Sequence, residues 1–237
     1  MKLHFLALAL GMTLPISGQQ PAAEDILRGA RQATLVQNQE LSGQLRRHKG
    51  KGSVPVKIFM RGTNIQFQFF NQARKAWEVF HLRLNNDGHD LFEMRGGKTH
   101  RFPAAKLKEP IMGTDLSYED LALRFLYWPG GQVLKEERLK TRACWLLRLK
   151  NPRPGVGLYA VADVWVDQKS GALMRVIGYD RKGQPLKRFE VQEVMQVGKA
   201  HALQKMRVER FNRRRVVDGV TYLELDKPKK RKPAGMR

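Results

Sequence analysis

The chain is poor in cysteine: Cys144 is the only one among its 237 residues. A single cysteine excludes an intrachain disulfide, and it excludes the zinc sites that are built from several thiolates. Cys144 lies in the apolar stretch from Ala143 to Leu147, where the sequence offers no base that could activate a thiol. We therefore expect Cys144 to be a small buried apolar side chain.

The sequence also lacks an apolar run long enough to span a bilayer, which takes about 20 residues. Its longest run, Phe5 to Ile16, follows the basic Lys2 and precedes the small residues Ser17 and Gly18. This order is typical of a secretory signal peptide. We predict a signal peptide over residues 1–20 and a mature protein that is exported and soluble.

Recognisable catalytic patterns are missing as well. The six histidines show no metal-ligand spacing, and no nucleophile elbow or phosphate-binding glycine loop is present. His81 and His89 flank a turn, and a metal site there would require them to approach each other across it. We predict no catalytic residues, no metal site, no cofactor and no enzymatic activity.

Short strands make up most of what is present. Val54 to Arg61 and Ile65 to Phe70 flank a turn as a hairpin, and Asn85 to Gly88 has hairpin-turn chemistry. The pattern predicts about ten to twelve strands with short connections, which join antiparallel neighbours. No strand–helix–strand rhythm appears, so a parallel sheet is disfavoured.

Two segments have helical patterns. Glu24 to Val36 is amphipathic, and Ile111 to Trp128 is predicted to form one helix that ends at a Pro-Gly-Gly sequence. In the second segment Ser117 and Asp120 have the spacing of a capping box. Its apolar face carries Leu121, Phe125 and Trp128 at helical spacing.

The segment from Gly113 to Leu121 resembles the Gly-Ser-Asp-Phe-Ser-Tyr-Glu-Asp-Leu sequence of the LolA-like outer-membrane lipoprotein-sorting proteins. Thr114 and Leu116 differ from the commonest form of that sequence. The resemblance extends, by the order of helices and strands, over roughly residues 22–227. It implies an incomplete barrel with a helical lid and a hydrophobic pocket. The residues that carry the motif are Gly113, Asp115, Ser117, Tyr118, Glu119 and Asp120.

The residues lead to the same architecture. Ile65, Phe67 and Phe69 alternate with polar neighbours, so one face of the sheet is apolar. A sheet this long curls because strands twist, and two helices are available to cover it. We predict an α+β, mostly β fold over residues 22–226. In it a curved antiparallel sheet forms an incomplete barrel, and the N-terminal and central helices cover the open face.

Such a barrel would enclose an apolar cavity suited to an acyl chain. Aromatic residues at period two belong to an ordinary filled core more often than to a ligand-binding wall, and that alternative stays open for each of them. Lid residues are the stronger candidates for ligand contact. The predicted ligand-binding residues of the cavity and lid are Ile65, Phe67, Phe69, Trp77, Leu121, Phe125, Trp145 and Trp165.

Positive charge is the other prominent feature. Lys and Arg total 44 against 22 Asp and Glu, a net charge of +22. Residues 227–237 form a basic tail, either a solvated disordered segment or an element that binds anionic lipid headgroups. A nucleic-acid partner is disfavoured by the predicted signal peptide and by the Asp and Glu residues interspersed among the cations.

These features favour a periplasmic, monomeric carrier or chaperone. It would bind a lipid or the acyl chain of a lipoprotein for transfer toward the outer membrane. The family resemblance adds an inner-membrane transporter of the RND type as a possible partner, and the charge adds an anionic membrane surface. Two alternatives remain: a basic protein that binds polyanions or nucleic acid, and a structural envelope protein without a ligand.

Overall fold

The computed structural model describes residues 20–35, 38–50, 52–85, 88–197 and 200–227. Residues 1–19 of the predicted signal peptide, residues 228–237 of the basic tail and the centre of the Asn85–Gly88 turn lie outside the described residues. Within the described part, thirteen strands form one antiparallel sheet, slightly more strands than the pattern predicted. The strands are β1 (Gln39–Arg47), β2 (Ser53–Arg61), β3 (Asn64–Asn71), β4 (Ala76–Asn85), β5 (Gly88–Arg95), β6 (Lys98–Arg101), β7 (Gln132–Leu139), β8 (Arg142–Lys150), β9 (Val161–Asp167), β10 (Leu173–Tyr179), β11 (Pro185–Val197), β12 (Ala200–Phe211) and β13 (Val217–Leu225).

The sheet is curved and is not closed into a barrel. Its strand order runs from β6 through β1, then β13, and back through β12 to β7, so the first and last strands pair in the middle. Strands β6 and β7 are consecutive in sequence but lie at opposite edges. Residues 102–131, which we call the crossover, therefore pass from one edge of the sheet to the other. The rest of the fold consists of antiparallel neighbours joined by short connections, as predicted.

The N-terminal helix, α1, spans Ala23–Leu35, close to its predicted range. Its apolar residues Ile26, Leu27 and Ala30 are buried against strands β8 to β10. Burial of one apolar face accounts for the stability of this helix, since a helix of thirteen residues is marginal by itself in water.

The crossover is less regular than the single helix predicted for it. It contains the 3₁₀ segments Ala104–Lys108, Ile111–Gly113 and Arg124–Tyr127 and one short α-helix, α2, over Tyr118–Ala122. Leu123 interrupts the helix with φ 47°, a left-handed conformation that costs about 1–2 kcal/mol. The break lets the crossover follow the curved sheet, so that Leu116 packs into one cluster and Phe125 into another.

Two large apolar clusters form the core. The first joins strands β1 to β4 and β11 to β13 with the crossover residues Phe102, Leu107, Ile111 and Leu116. The second joins strands β8 to β10 with α1 and the end of the crossover, including Trp128. A third, smaller cluster contains Cys144, which is fully buried as predicted. The crossover thus covers the first cluster, and α1 with the end of the crossover covers the second. The boundary between these two clusters lies on the inner face of the sheet.

Candidate functional site

A cavity of about 290 Å³ lies at the boundary between the two large clusters. Its size is close to the lower end of small-molecule sites, about 300–1,000 Å³. The sheet contributes Leu41, Ile58 and Met206 to the walls, and the crossover contributes Leu116 and Leu126. An apolar cavity of about half this volume stays dry and accepts apolar ligands, so this one is suited to hydrocarbon.

The protein's own side chains do not fill this space. Leu121, Leu203 and Met206 line the cavity, and each of them keeps part of its surface uncovered. Uncovered apolar surface at the inner face of a sheet is unfavourable in water. The cavity therefore provides a favourable position for an apolar ligand.

A few polar side chains border the cavity. Arg31 donates a hydrogen bond of 2.8 Å from Nη1 to the carbonyl of Leu126, and its guanidinium lies 5.5 Å from the centre of the Tyr127 ring. The ring of Tyr127 lies 5.5 Å from that of His89, the cross-strand neighbour of the lining residue Leu84. Burial, followed by the nearby Arg124 guanidinium, lowers the pKa of His89 to about 4. His89 is therefore neutral at pH 7.

The motif residue Asp115 attaches the crossover to the middle of the sheet. Its carboxylate accepts hydrogen bonds from Thr221 Oγ1 at 2.8 Å and from Arg210 Nε at 2.9 Å, and its own amide donates to Thr221 Oγ1. Gly219 makes room for this carboxylate, because a Cβ there would lie 2.2 Å from Asp115 Oδ1. Asp115 is therefore an anchor to β12 and β13.

Asp120 attaches the other half of the motif. One oxygen, Oδ2, accepts hydrogen bonds from the amide and the hydroxyl of Ser117, which caps α2 as predicted, and from Lys187 Nζ at 2.6 Å. The other oxygen accepts from the Tyr159 hydroxyl at 2.5 Å. Asp120 and Lys187 are both buried. They form an ion pair between the crossover and β11, and the buried Tyr159 lies beside this pair.

Glu119 and Tyr118 complete the motif. Glu119 is buried; it accepts a hydrogen bond from the amide of Leu158, and burial raises the pKa of its carboxyl group. Gly157 is required beside it, because a Cβ at this position would lie 2.0 Å from Glu119 Oε1. Tyr118 packs its ring against Phe80 and Phe102, and burial raises its pKa to about 12. The motif thus holds the crossover on the sheet, and of its predicted residues Asp120 borders the cavity.

The structure divides the predicted ligand-binding residues into two groups. Ile65, Phe67, Leu121 and Phe125 line the cavity. The other four lie elsewhere: Phe69 is buried in the first cluster, and Trp145 packs at the margin of the second. A contact between any of the eight and a ligand remains a prediction.

Two of the outlying tryptophans stack with cations instead. Trp77 is 37% exposed and lies under Lys57 Nζ, which is 4.8 Å from its ring centre. Trp165 donates from Nε1 to Glu137 and lies under Arg175. Period-two alternation identifies the residues that share a face, but it does not identify the part of that face that stays unfilled.

The described residues also bear on metal binding and on membrane-spanning helices. Among the described residues, no group of three or more His, Cys, Asp or Glu side chains is placed to hold a metal ion. His81 pairs with Phe92 and His89 with Leu84, so the two histidines lie on opposite faces of their hairpin and do not approach. No helix in the described part of the chain is long and apolar enough to cross a bilayer.

Comparison with known proteins identifies the class of fold. The structure is similar to a DUF1329 family protein from Desulfovibrio piger and to an outer membrane lipoprotein-sorting protein domain from Vibrio parahaemolyticus. Both have TM-scores of 0.67 and 16% identity over 86% of this chain, and over 89% and 90% of theirs. A LolA superfamily protein from Nitrosomonas europaea has a TM-score of 0.63 and 14% identity over 88% of this chain and 93% of that one. The protein therefore has the LolA-like fold, as its motif predicted.

The chain also belongs to a particular protein family, which is a narrower group than the fold. A family model described as uncharacterized proteins matches residues 86–233, and the chain belongs to that family. This range includes the crossover, its anchors on β11 to β13 and all the strands of the second cluster. No match is found among curated protein sequences.

Sequence reasoning missed the partners of the motif. Lys187, Tyr159, Arg210 and Thr221 lie between 39 and 106 positions from the motif residues they contact. Each of them looks in sequence like an ordinary strand residue. Lys187 gave one weak signal, because in strand β11 it alternates with the apolar residues Pro185 and Phe189 two positions away on either side.

Proposed function

We propose that the protein is an exported carrier that holds the acyl chain of a lipid or lipoprotein in the cavity and passes it toward the outer membrane, without catalysis. The unfilled apolar cavity between crossover and sheet carries this proposal. Each CH₂ group that moves from water into such a site contributes about 0.8 kcal/mol, so part of one acyl chain supplies ample affinity.

The cellular setting is part of the proposal. The signal peptide at residues 1–20 would direct the chain to the periplasm, where residues 22–226 act as a monomeric carrier and residues 227–237 as a basic tail. One solved neighbour is named an outer membrane lipoprotein-sorting protein domain and another a LolA superfamily protein, and both names support lipid cargo. An RND-type inner-membrane transporter is a candidate donor. The crossover would act as the lid, with Leu121 and Phe125 in contact with the cargo.

Native mass spectrometry of gently purified protein tests the proposal against its two alternatives. A carrier retains lipid at a defined ratio of lipid to protein. A polyanion-binding protein retains nucleic acid instead, and a structural envelope protein without a ligand retains neither. Either of the last two results would refute the carrier function.

A charge placed in the cavity should abolish lipid retention. Met206 lines the cavity next to its cross-strand neighbour Leu223. Met206→Glu would therefore place a carboxylate against a bound acyl chain. Burial of an unpaired charge is costly, and we expect the retained lipid to fall at least about tenfold. The measurement is extraction and quantitation of lipid from the purified variant.

The matched control for this variant is Leu134→Glu. Leu134 is 44% exposed on the edge strand β7 and lies outside the cavity lining, so the control should retain lipid like the unmodified protein. Near-ultraviolet circular dichroism verifies that both variants keep their tertiary packing. Equal lipid content in the two folded variants would show that the cavity is not the binding site.

A further inference from the structure

Three loops meet at one end of the sheet. Residues 151–160 join β8 to β9, residues 180–184 join β10 to β11, and residues 212–216 join β12 to β13. Arg181 donates from Nε to the carbonyl of Pro154 at 3.1 Å, which links the first loop to the second. Arg215 donates from Nε to Gln184 Oε1 at 2.9 Å, which links the second to the third. We call these three loops the basic rim.

The basic rim concentrates positive charge. It has one acidic residue, Asp180, whose carboxylate accepts from the amides of Lys182 and Gln184 and so holds the turn. The rim also has six cationic side chains, so its net charge is +5. The cations are Arg153, Arg181, Lys182, Arg213, Arg214 and Arg215.

These cations differ from those on the strands. Arg46, Arg148 and Arg175 each form an ion pair with a carboxylate on a neighbouring strand. Within the described residues, no ion pair involves any of the six cations of the rim. All six are exposed. Their charge is therefore available to an external anion, and little water has to be removed for it to act.

Apolar side chains project from the same loops. Val216 is 58% exposed, the largest fraction among the exposed large apolar residues of the described chain, and it follows the three consecutive arginines. Val156 in the first loop is 41% exposed. Loop tips that combine exposed apolar side chains with surrounding Lys and Arg have the chemistry of a membrane interface, where anionic headgroups lie above hydrocarbon.

We infer that the basic rim is a docking surface for a bilayer that contains anionic phospholipids. The cations lie at headgroup depth and attract phosphate, while Val156 and Val216 reach toward the acyl boundary. A soluble polyanion such as nucleic acid offers partners for the cations but none for the two valines. The valines therefore favour the membrane surface.

Many of the residues that line the cavity lie far from the rim. Strand β10 begins at Leu173, which lines the cavity, and ends at Tyr179, next to the rim. Met60, Leu84 and Leu225, which also line the cavity, end their strands away from the rim. The cavity thus extends to the end of the sheet away from the rim, while Asp120 at its border is held by Tyr159 of the first rim loop. The inference goes beyond the proposed carrier function.

Vesicle co-sedimentation with the full-length mature protein tests the inference. The vesicles contain phosphatidylcholine alone or mixed with phosphatidylglycerol. We expect binding to the mixed vesicles, weakening as salt screens the charges. Arg213→Gln with Arg214→Gln should weaken this binding roughly 25-fold, since each cation near an anionic surface contributes about a fivefold gain.

The matched control is Lys98→Gln with Arg101→Gln, which removes the same charge from exposed positions of the edge strand β6. We expect it to bind mixed vesicles within about twofold of the unmodified protein, because its charges lie outside the rim. A loss equal to that of the rim variant would mean that net charge alone drives binding, and the inference would be overturned. Unchanged vesicle binding by the rim variant would overturn it as well.

A second pair of substitutions separates membrane from polyanion. Val156→Ser with Val216→Ser should weaken vesicle binding severalfold and leave binding of a duplex DNA fragment unchanged. If the rim arginines affect DNA binding while vesicle binding stays constant, the rim is a nucleic-acid surface instead. Lipid content measured after purification should be the same in all these variants, so a failure of the docking surface is distinguishable from a failure of the carrier.

Discussion

Lys187→Met should lower the free energy of unfolding by about 3–5 kcal/mol, because it leaves the carboxylate of Asp120 buried without its cation. Methionine keeps most of the aliphatic stem, so the loss reports mainly the charge. The side chain of Asp120 has no exposed surface, and that of Lys187 is 11% exposed, so water cannot replace the lost partner without a change in structure. Urea unfolding followed by tryptophan fluorescence measures the effect.

The control for Lys187→Met is Arg28→Ala, which breaks the exposed pair between Arg28 and Asp25 on α1. An exposed pair contributes about 0–1 kcal/mol, so this variant should remain close to the unmodified protein. A double variant, Asp120→Leu with Lys187→Met, should lose less stability than the two single variants together, because neither charge is then left unpaired. A cost below about 1 kcal/mol for Lys187→Met would show that the pair does not hold the crossover.

Stability should rise as the pH increases from about 4 to about 6.5, and His89 should account for much of this change. The pKa of His89 is about 4 in the folded protein and about 6.5 in the unfolded chain, so the unfolded chain binds more protons between these values. The contribution is fully present above pH 6.5 and is lost as the pH falls toward 4. Its full size is roughly 3 kcal/mol, of which about 2 kcal/mol is lost by pH 5.

His89→Phe isolates this term from the carboxylates, which also titrate in acid. Phenylalanine keeps a ring beside Tyr127 and cannot be protonated. It also removes the Nδ1 atom, which is buried without a hydrogen-bond partner among the described residues. At pH 7 the two proteins should be similarly stable, and at pH 5 the variant should be the more stable by about 2 kcal/mol. Parallel pH profiles for the two proteins would contradict the assignment.

The features that the sequence predicts well are those with short-range causes. The helix at Ala23–Leu35, the hairpin of β2 and β3, the antiparallel sheet and the cap at Ser117 all follow from periodicity, turn residues and capping chemistry within a few positions. The nine-residue motif pointed to the right fold because its buried acidic side chains need specific partners in that fold. Its three acids are buried, and their partners are Arg210 on β12, Lys187 on β11 and the amide of Leu158 in the loop between β8 and β9.

The single helix expected across Ile111 to Trp128 was wrong for a reason that lies outside the segment. Leu121 and Phe125, which its apolar spacing places on one face, both line the cavity. The curved sheet, however, requires the chain to bend between its two clusters, and Leu123 takes a left-handed conformation to allow this. Local propensity could not predict that break, because the burial of residues on both sides stabilises it.

The amino-acid sequence by itself determined the strands, the helical segments, the excess of positive charge and the fold they assemble into. Only the tertiary structure decided which apolar residues surround unfilled space, which cations are paired and which acids are buried. The physical reason is that periodicity assigns a residue to a face, whereas cavities and ion pairs depend on residues tens of positions apart that the folded sheet brings together. Lys187 beside Asp120 and the three arginines beyond Asn212 show both outcomes: a buried cation held by a distant carboxylate, and a group of cations exposed at the end of the sheet.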